Sequence, residues 1–109
     1  MTSAIAMSDN VFAVKTNLFL GADTLVEVSK RAGITGELLA VPSLALGTSE
    51  LTMLDFAAGY TTLASGGYKK DIHFINRIED LEGNVLYEYE DKNNLVLNPN
   101  YTYILNEML

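Results

Sequence analysis

A serine hydroxyl and a carboxamide stand two residues apart in Ser8-Asp9-Asn10, just before an apolar run that includes Val11, Phe12, Val14, Leu18, Phe19 and Leu20. A hydroxyl can bridge a neighbouring base to a departing nitrogen and so relay a proton. A carboxamide presents donors and an acceptor without charge, which suits it to orienting a peptide bond. A loop leading into a helix N-terminus gives both groups a fixed perch. Neither is an activated nucleophile, because serine is unreactive at neutral pH unless a base lies beside it. None of the six serines (Ser3, Ser8, Ser29, Ser43, Ser49, Ser65) has lysine three positions on, and the Lys15-Thr16 pair is followed by Asn17 rather than glycine. The chain reads as one wall of an active site without its nucleophile. A fragment is expected.

The elements that position these groups are mostly helical. A first helix is expected from Asn10 or Val11 to Leu20, with Gly21 in the stop position. Asp23 is the expected cap of a second helix running through Ala32, ended by Gly33. From Ile34 to Ser49, Gly36, Pro42 and Gly47 break any regular pattern. The apolar residues of that connector (Leu38, Leu39, Val41, Leu44, Leu46) should pack it down. Thr52 caps a third helix, with Asp55 completing a variant of the capping box, and Gly66-Gly67 stops it. Ile72 to Glu79 and Val85 to Tyr89 flank Leu81-Glu82-Gly83-Asn84 as a β-hairpin. Asn98-Pro99 opens a last helix that reaches Leu109 with no stop signal, again as a cut chain would. The charge clusters Lys69–Asp71 and Glu88–Lys92 are expected to mark solvated turns.

At 109 residues the chain is at most one domain. Hydrophobic residues make up 49%, enough for a core and against disorder. A net charge of −7 argues against nucleic acid, whose phosphates call for a basic stripe, and against charge-driven docking on anionic lipid. The absence of cysteine excludes disulfides and zinc–thiolate sites within these residues. Lys15, Thr16 and Asn17 interrupt the longest apolar stretch, so no membrane span is read, and no signal peptide is read at the N-terminus. The piece itself is expected to be soluble and to make no direct membrane contact. No cofactor is implied.

Four stretches taken in order carry a family resemblance. They are Ala6-Met7-Ser8-Asp9-Asn10-Val11-Phe12-Ala13-Val14, then Pro42 to Thr52, then Leu54 to Tyr68, then Phe74 to Glu88. Together they make the chain resemble the transpeptidase domain of class A penicillin-binding proteins. In that comparison Ser8-Asp9-Asn10 is the Ser-x-Asn motif, the middle of three, and the Ser-x-x-Lys and Lys-Thr-Gly motifs are missing. The fold class implied is α+β, a mostly helical segment with a β-hairpin, residues 1–109 being part of a β-lactamase/transpeptidase-like domain. The complete domain would acylate its serine with a D-Ala-D-Ala stem peptide, releasing the terminal D-alanine, and pass the acyl group to another stem's amine. Peptidoglycan stem peptides and β-lactams are the implied partners. The resemblance makes Ser8 the proton-relaying hydroxyl and Asn10 the amide-orienting carboxamide; Asp9 fills the variable position. It places the parent in the bacterial cell membrane with this domain outside the cytoplasm. The isolated piece should be inactive and prone to self-association through apolar surface that the rest of the domain would cover.

Plainer readings stand beside these. Alone, Ser8-Asp9-Asn10 is what a helix N-cap looks like; the three stretches that follow it favour the catalytic reading, and the two are compatible. A serine β-lactamase fragment would share the triplet, but the Glu-x-x-Leu-Asn segment used for deacylation is not found. A non-catalytic binding or structural module would explain the missing nucleophile without truncation. His73 lacks a carboxylate partner or metal-ligand spacing and is read as structural or surface, in a strand. Gly47-Thr48-Ser49-Glu50-Leu51 lacks the second glycine of a nucleophile elbow, so Ser49 is read as part of a loop and cap. The acidic residues from Glu79 to Glu90 flank the hairpin; a paired-carboxylate hydrolase site there is the weaker reading.

Overall fold

The computed structural model describes residues 1–109. Five α-helices run α1 (Thr2–Ala6), α2 (Asn10–Leu20), α3 (Ala22–Arg31), α4 (Met53–Ala64) and α5 (Pro99–Met108), with a 3-10 turn at Pro42–Leu46. Four short strands, β1 (Tyr68–Lys69), β2 (Arg77–Glu79), β3 (Val85–Glu88) and β4 (Asn94–Leu95), form two antiparallel pairs, β1 with β4 and β2 with β3. A mixed helical and small-sheet architecture was expected, and it is what the chain adopts.

Local chemistry sets most helix ends. Thr52 Oγ1 accepts from the Asp55 amide at 3.1 Å and donates to Asp55 Oδ2 at 2.5 Å. That departs from the usual box, in which the acidic side chain reaches the cap residue's own amide. Asn98 Oδ1 accepts from the Asn100 amide at 3.0 Å, and Pro99 follows it in the first helical position, where its missing N–H costs nothing. The expected cap at Asp23 is corrected. Gly21 holds the cap position of α3 with φ 91°, and Asp23 lies in the first turn, where its charge faces the positive helix end. One residue separates α2 from α3, so the second helix starts too soon for Asp23 to stand outside it.

Other expectations change with non-local pairing. The connector is not wholly irregular, since Pro42 starts a 3-10 turn closed by the Leu44 amide on the Val41 carbonyl at 3.0 Å. The first hairpin strand is shorter than the Ile72 to Glu79 run, because the ladder covers Arg77–Glu79, with an irregularity after Ile78. Strand β3 stops at Glu88 rather than Tyr89, whose amide still donates to the Asn76 carbonyl at 2.7 Å. His73 therefore lies outside any strand. The charge clusters are not simple turns: Lys69 belongs to β1, Glu88 to β3, and Lys70 bridges to Asp91 at 2.5 Å and Asn93 at 2.6 Å.

The interior is small and partly polar. Eight of 109 residues are buried, and three of them are Asn17, Thr62 and Thr102, so hydrogen bonds carry much of the tertiary specification. Asn106 Nδ2 donates to the Leu63 carbonyl at 2.9 Å, fastening α5 to α4. The radius of gyration is 17.4 Å, against about 13 Å for a compact domain of this length. The extents of 61 × 27 × 21 Å describe an elongated body. Phe19, Met53, Phe74 and Leu81 stand well exposed on it.

Candidate functional site

Ser8 sits at the junction of α1 and α2, and a specific backbone motif holds it there. The Ser8 amide donates to the Ile5 carbonyl at 3.0 Å and the Asp9 amide to the Ala4 carbonyl at 2.9 Å. That pair of bonds is a Schellman ending, which puts the residue after the cap in the left-handed region. Ser8 has φ 52° and is the one non-glycine residue of the chain with positive φ. The same two bonds end α3 at Gly33 and α4 at Gly66. Where the other two endings use glycine, this one uses serine, at a cost of about 1–2 kcal/mol for a residue with a Cβ. Strain of this kind is retained where the side chain has a use.

Asp9 then caps α2, its Oδ1 accepting from the Phe12 amide at 3.0 Å. The capping role therefore falls to the middle residue of the triplet. No hydrogen bond within the chain engages the side chain of Ser8 or Asn10, and both are exposed. They line an open cleft of about 280 Å³ together with Ala4, Ile5, Ala45 and Leu46. One wall is the α1–α2 junction and the other is the 3-10 turn. The structure thus brings Ser8 and Asn10 into one cleft, with a hydroxyl and a carboxamide free to meet a ligand.

Asn17 joins the two walls, and the sequence reading missed it. It lies seven residues beyond Asn10, two helical turns along the same face of α2. Its Nδ2 donates to the carbonyls of Val41 and Pro42, each at 3.2 Å, and the residue is 4% exposed. These are the hydrogen bonds that link α2 to the 3-10 turn. Its Oδ1 is buried without a partner, which costs about 1–3 kcal/mol. The available signal was weak, since Asn17 is one of three consecutive polar residues, with Lys15 and Thr16, that interrupt the apolar run of α2.

Elsewhere the titratable groups serve structure. Asp55 accepts from the Thr35 amide at 3.2 Å and from the Thr35 hydroxyl, clipping the residues after α3 to the start of α4. The side-chain bonds from Thr35 and Thr52 hold its carboxyl below the usual carboxylate value. Asp80 is lowered in the same way, first by the Asn84 side chain, which bonds it at 2.8 Å in the hairpin turn. Desolvation raises the Tyr89 phenol, with Asp71 and Asp91 adding to the effect. His73 stacks on Tyr89 with ring centres 3.5 Å apart, and its Nε2 lies 2.7 Å from Asn76 Oδ1. Ser49 lines an apolar hollow of about 540 Å³ with Leu25, Ile34, Leu44 and Phe56, and no lysine or histidine is there to activate it. No group of three or more acidic or histidine side chains is placed to hold a metal. No helix is long and apolar enough to cross a membrane.

Over all 109 residues the chain is 42% identical to penicillin-binding protein 2D of Bacillus subtilis. Its homologues are penicillin-binding proteins. Penicillin-binding protein 1A of Escherichia coli is 32% identical over 93 residues, 84% of the chain. Penicillin-binding protein 1B of Vibrio cholerae is 38% identical over 86 residues, 78% of the chain. No protein-family model matches. The chain spans 16% of the length of the Bacillus penicillin-binding protein and 11% of each of the other two. The similarity to the Bacillus penicillin-binding protein covers every residue of the cleft, from Ala4 to Leu46.

Proposed function

We propose that these residues are an internal part of the transpeptidase domain of a class A penicillin-binding protein. The observation that carries the reading is Ser8, kept in a left-handed backbone position that glycine fills at two other helix ends, with its hydroxyl directed to no partner in the chain. Ser8 would relay the proton from the nucleophile's base to the leaving amine of a D-Ala-D-Ala stem peptide. Asn10 would donate to and accept from the substrate's amide and hold it in line. The acylated serine, its lysine and a Lys-Thr-Gly strand would be supplied by residues outside these 109. β-Lactams would acylate the same serine.

The parent would sit in the cell membrane with this domain outside the cytoplasm. Apolar residues such as Phe19, Met53 and Phe74, exposed here, would be covered by the remainder of the domain.

Fluorescent penicillin labelling of the full-length protein, beside this chain and a full-length Ser8→Ala variant, tests the reading. A stably labelled parent, an unlabelled 109-residue chain and a slowed variant support it. An unlabelled parent refutes it, and equal labelling of parent and variant removes Ser8 from the chemistry.

A further inference from the structure

The cleft that holds Ser8 and Asn10 has two walls, which pack together with Leu44 buried between elements, and the hydrogen bonds between them come from one side chain. The 3-10 turn Pro42–Leu46 has no side-chain cap of its own, and Leu44 is its one buried residue. Asn17 Nδ2 reaches the carbonyls of two consecutive residues at the start of that turn, Val41 and Pro42, at 3.2 Å each. Three residues further on, Ala45 and Leu46 face Ser8 and Asn10 across the cleft. Asn17 therefore ties the start of the turn that carries Ala45 and Leu46 directly to the helix that carries Asn10.

The choice of residue is informative. An apolar side chain at position 17 would fill the helix face with no unpaired acceptor, yet the chain carries a buried carboxamide whose Oδ1 has no partner. What asparagine adds is a short two-hydrogen donor that serves two carbonyls at once. Asn10 and Asn17 share a face of one rigid helix, so a shift of the turn relative to Asn17 is also a shift relative to Asn10. Asn17 touches neither hydroxyl nor carboxamide of the site. Its effect on the reaction would come only through geometry, where small displacements of aligned groups change rates strongly.

We propose that Asn17 is a positioning residue for acylation, fixing the 3-10 wall against the Ser8–Asn10 wall. This rests on the transpeptidase reading.

The test uses the full-length protein and measures two constants for a fluorescent penicillin, the non-covalent affinity and the first-order acylation rate. Thermal melting is followed in parallel. For Asn17→Ala the acylation rate should fall about tenfold, with affinity changed less than about twofold. Asn17→Asp, which keeps the shape but aims a carboxylate at two carbonyls, should do the same. A residue with a merely structural role would lower the melting temperature and leave the acylation rate of the folded protein at its original value. Pro42→Gly loosens the same turn and leaves α2 untouched, so it decides the matter if the Asn17 variants do not fold. It should slow acylation as well. An original acylation rate in folded Asn17→Ala, or in Pro42→Gly when the first does not fold, overturns the positioning role and leaves the transpeptidase reading intact. A full-length protein that takes no label overturns both.

Discussion

The Thr62 hydroxyl donates to the Ala32 carbonyl across 2.6 Å, joining the last turn of α4 to the end of α3, and Thr62 is fully buried. The same hydroxyl lies 3.2 Å from the Ala58 carbonyl one turn back. Thr62→Val keeps the shape and leaves the Ala32 carbonyl without this donor. Urea unfolding should show a loss of about 1–3 kcal/mol. Thr62→Ser, which keeps the bond and gives up a methyl group, should lose less. A valine variant as stable as the parent would show that this bond contributes nothing net.

Ser8→Gly should make the chain more stable. It relieves the cost of a Cβ at φ 52°, worth about 1 kcal/mol after the extra freedom of glycine in the unfolded chain is counted. Ser8→Ala keeps the Cβ and should leave stability within about 0.5 kcal/mol of the original. Both should slow penicillin acylation of the full-length protein. Glycine would thus separate stability from reactivity in opposite directions, as happens where strain is held for function. Differential scanning calorimetry beside the labelling assay reads both, and a destabilised glycine variant would contradict the strain argument.

Asp55 makes stability depend on pH in a predictable direction. Its carboxyl titrates below the ordinary value of 3.8 in the folded chain because Thr35 and Thr52 donate to the charged form. A depressed folded value means the stabilisation is complete above the unfolded value and is lost as pH falls through the folded one. Asp80 acts in the same sense through Asn84. Urea midpoints should therefore drop below about pH 4, and Asp55→Asn should flatten part of that drop while lowering stability at pH 7. An acid profile identical in the variant would remove Asp55 from the account.

The 109-residue chain should self-associate. Phe19 is 88% exposed, Met53 86% and Phe74 86%, and surface of this kind is costly to leave in water. Sedimentation velocity should show a weight-average mass that rises with concentration. A clean monomer over a hundredfold range would refute the expectation.

The parts of the fold that could be read in advance are those fixed by neighbours in sequence. Gly21, Gly33, Thr52, Gly66 and Asn98-Pro99 each act within a turn of where they stand, and the helix limits near them came out within a residue or two. The β1–β4 pair was invisible because two-residue strands carry no periodicity, and Tyr68 finds Leu95 only through the folded chain. The five-residue α1 was missed for a similar reason, being too short to show a repeat. At the candidate site the residue types of Ser8 and Asn10 were legible, while the left-handed backbone of Ser8 was not, since only the two Schellman bonds reveal it. Asn17 read as an interruption of an apolar run, and its meaning lies in two carbonyls more than twenty residues away.

The antiparallel pairing of Tyr68 with Leu95 and Lys69 with Asn94 closes residues 70–93 into an excursion pinned at its base. The β2–β3 hairpin lies wholly inside that excursion. The entropy of closing such a loop grows only slowly with its length, by about 0.6 kcal/mol for each doubling. Homologous chains can therefore lengthen, shorten or replace the hairpin between the same two anchors while the Ser8–Asn10 cleft, held by α1, α2 and the 3-10 turn, stays as it is.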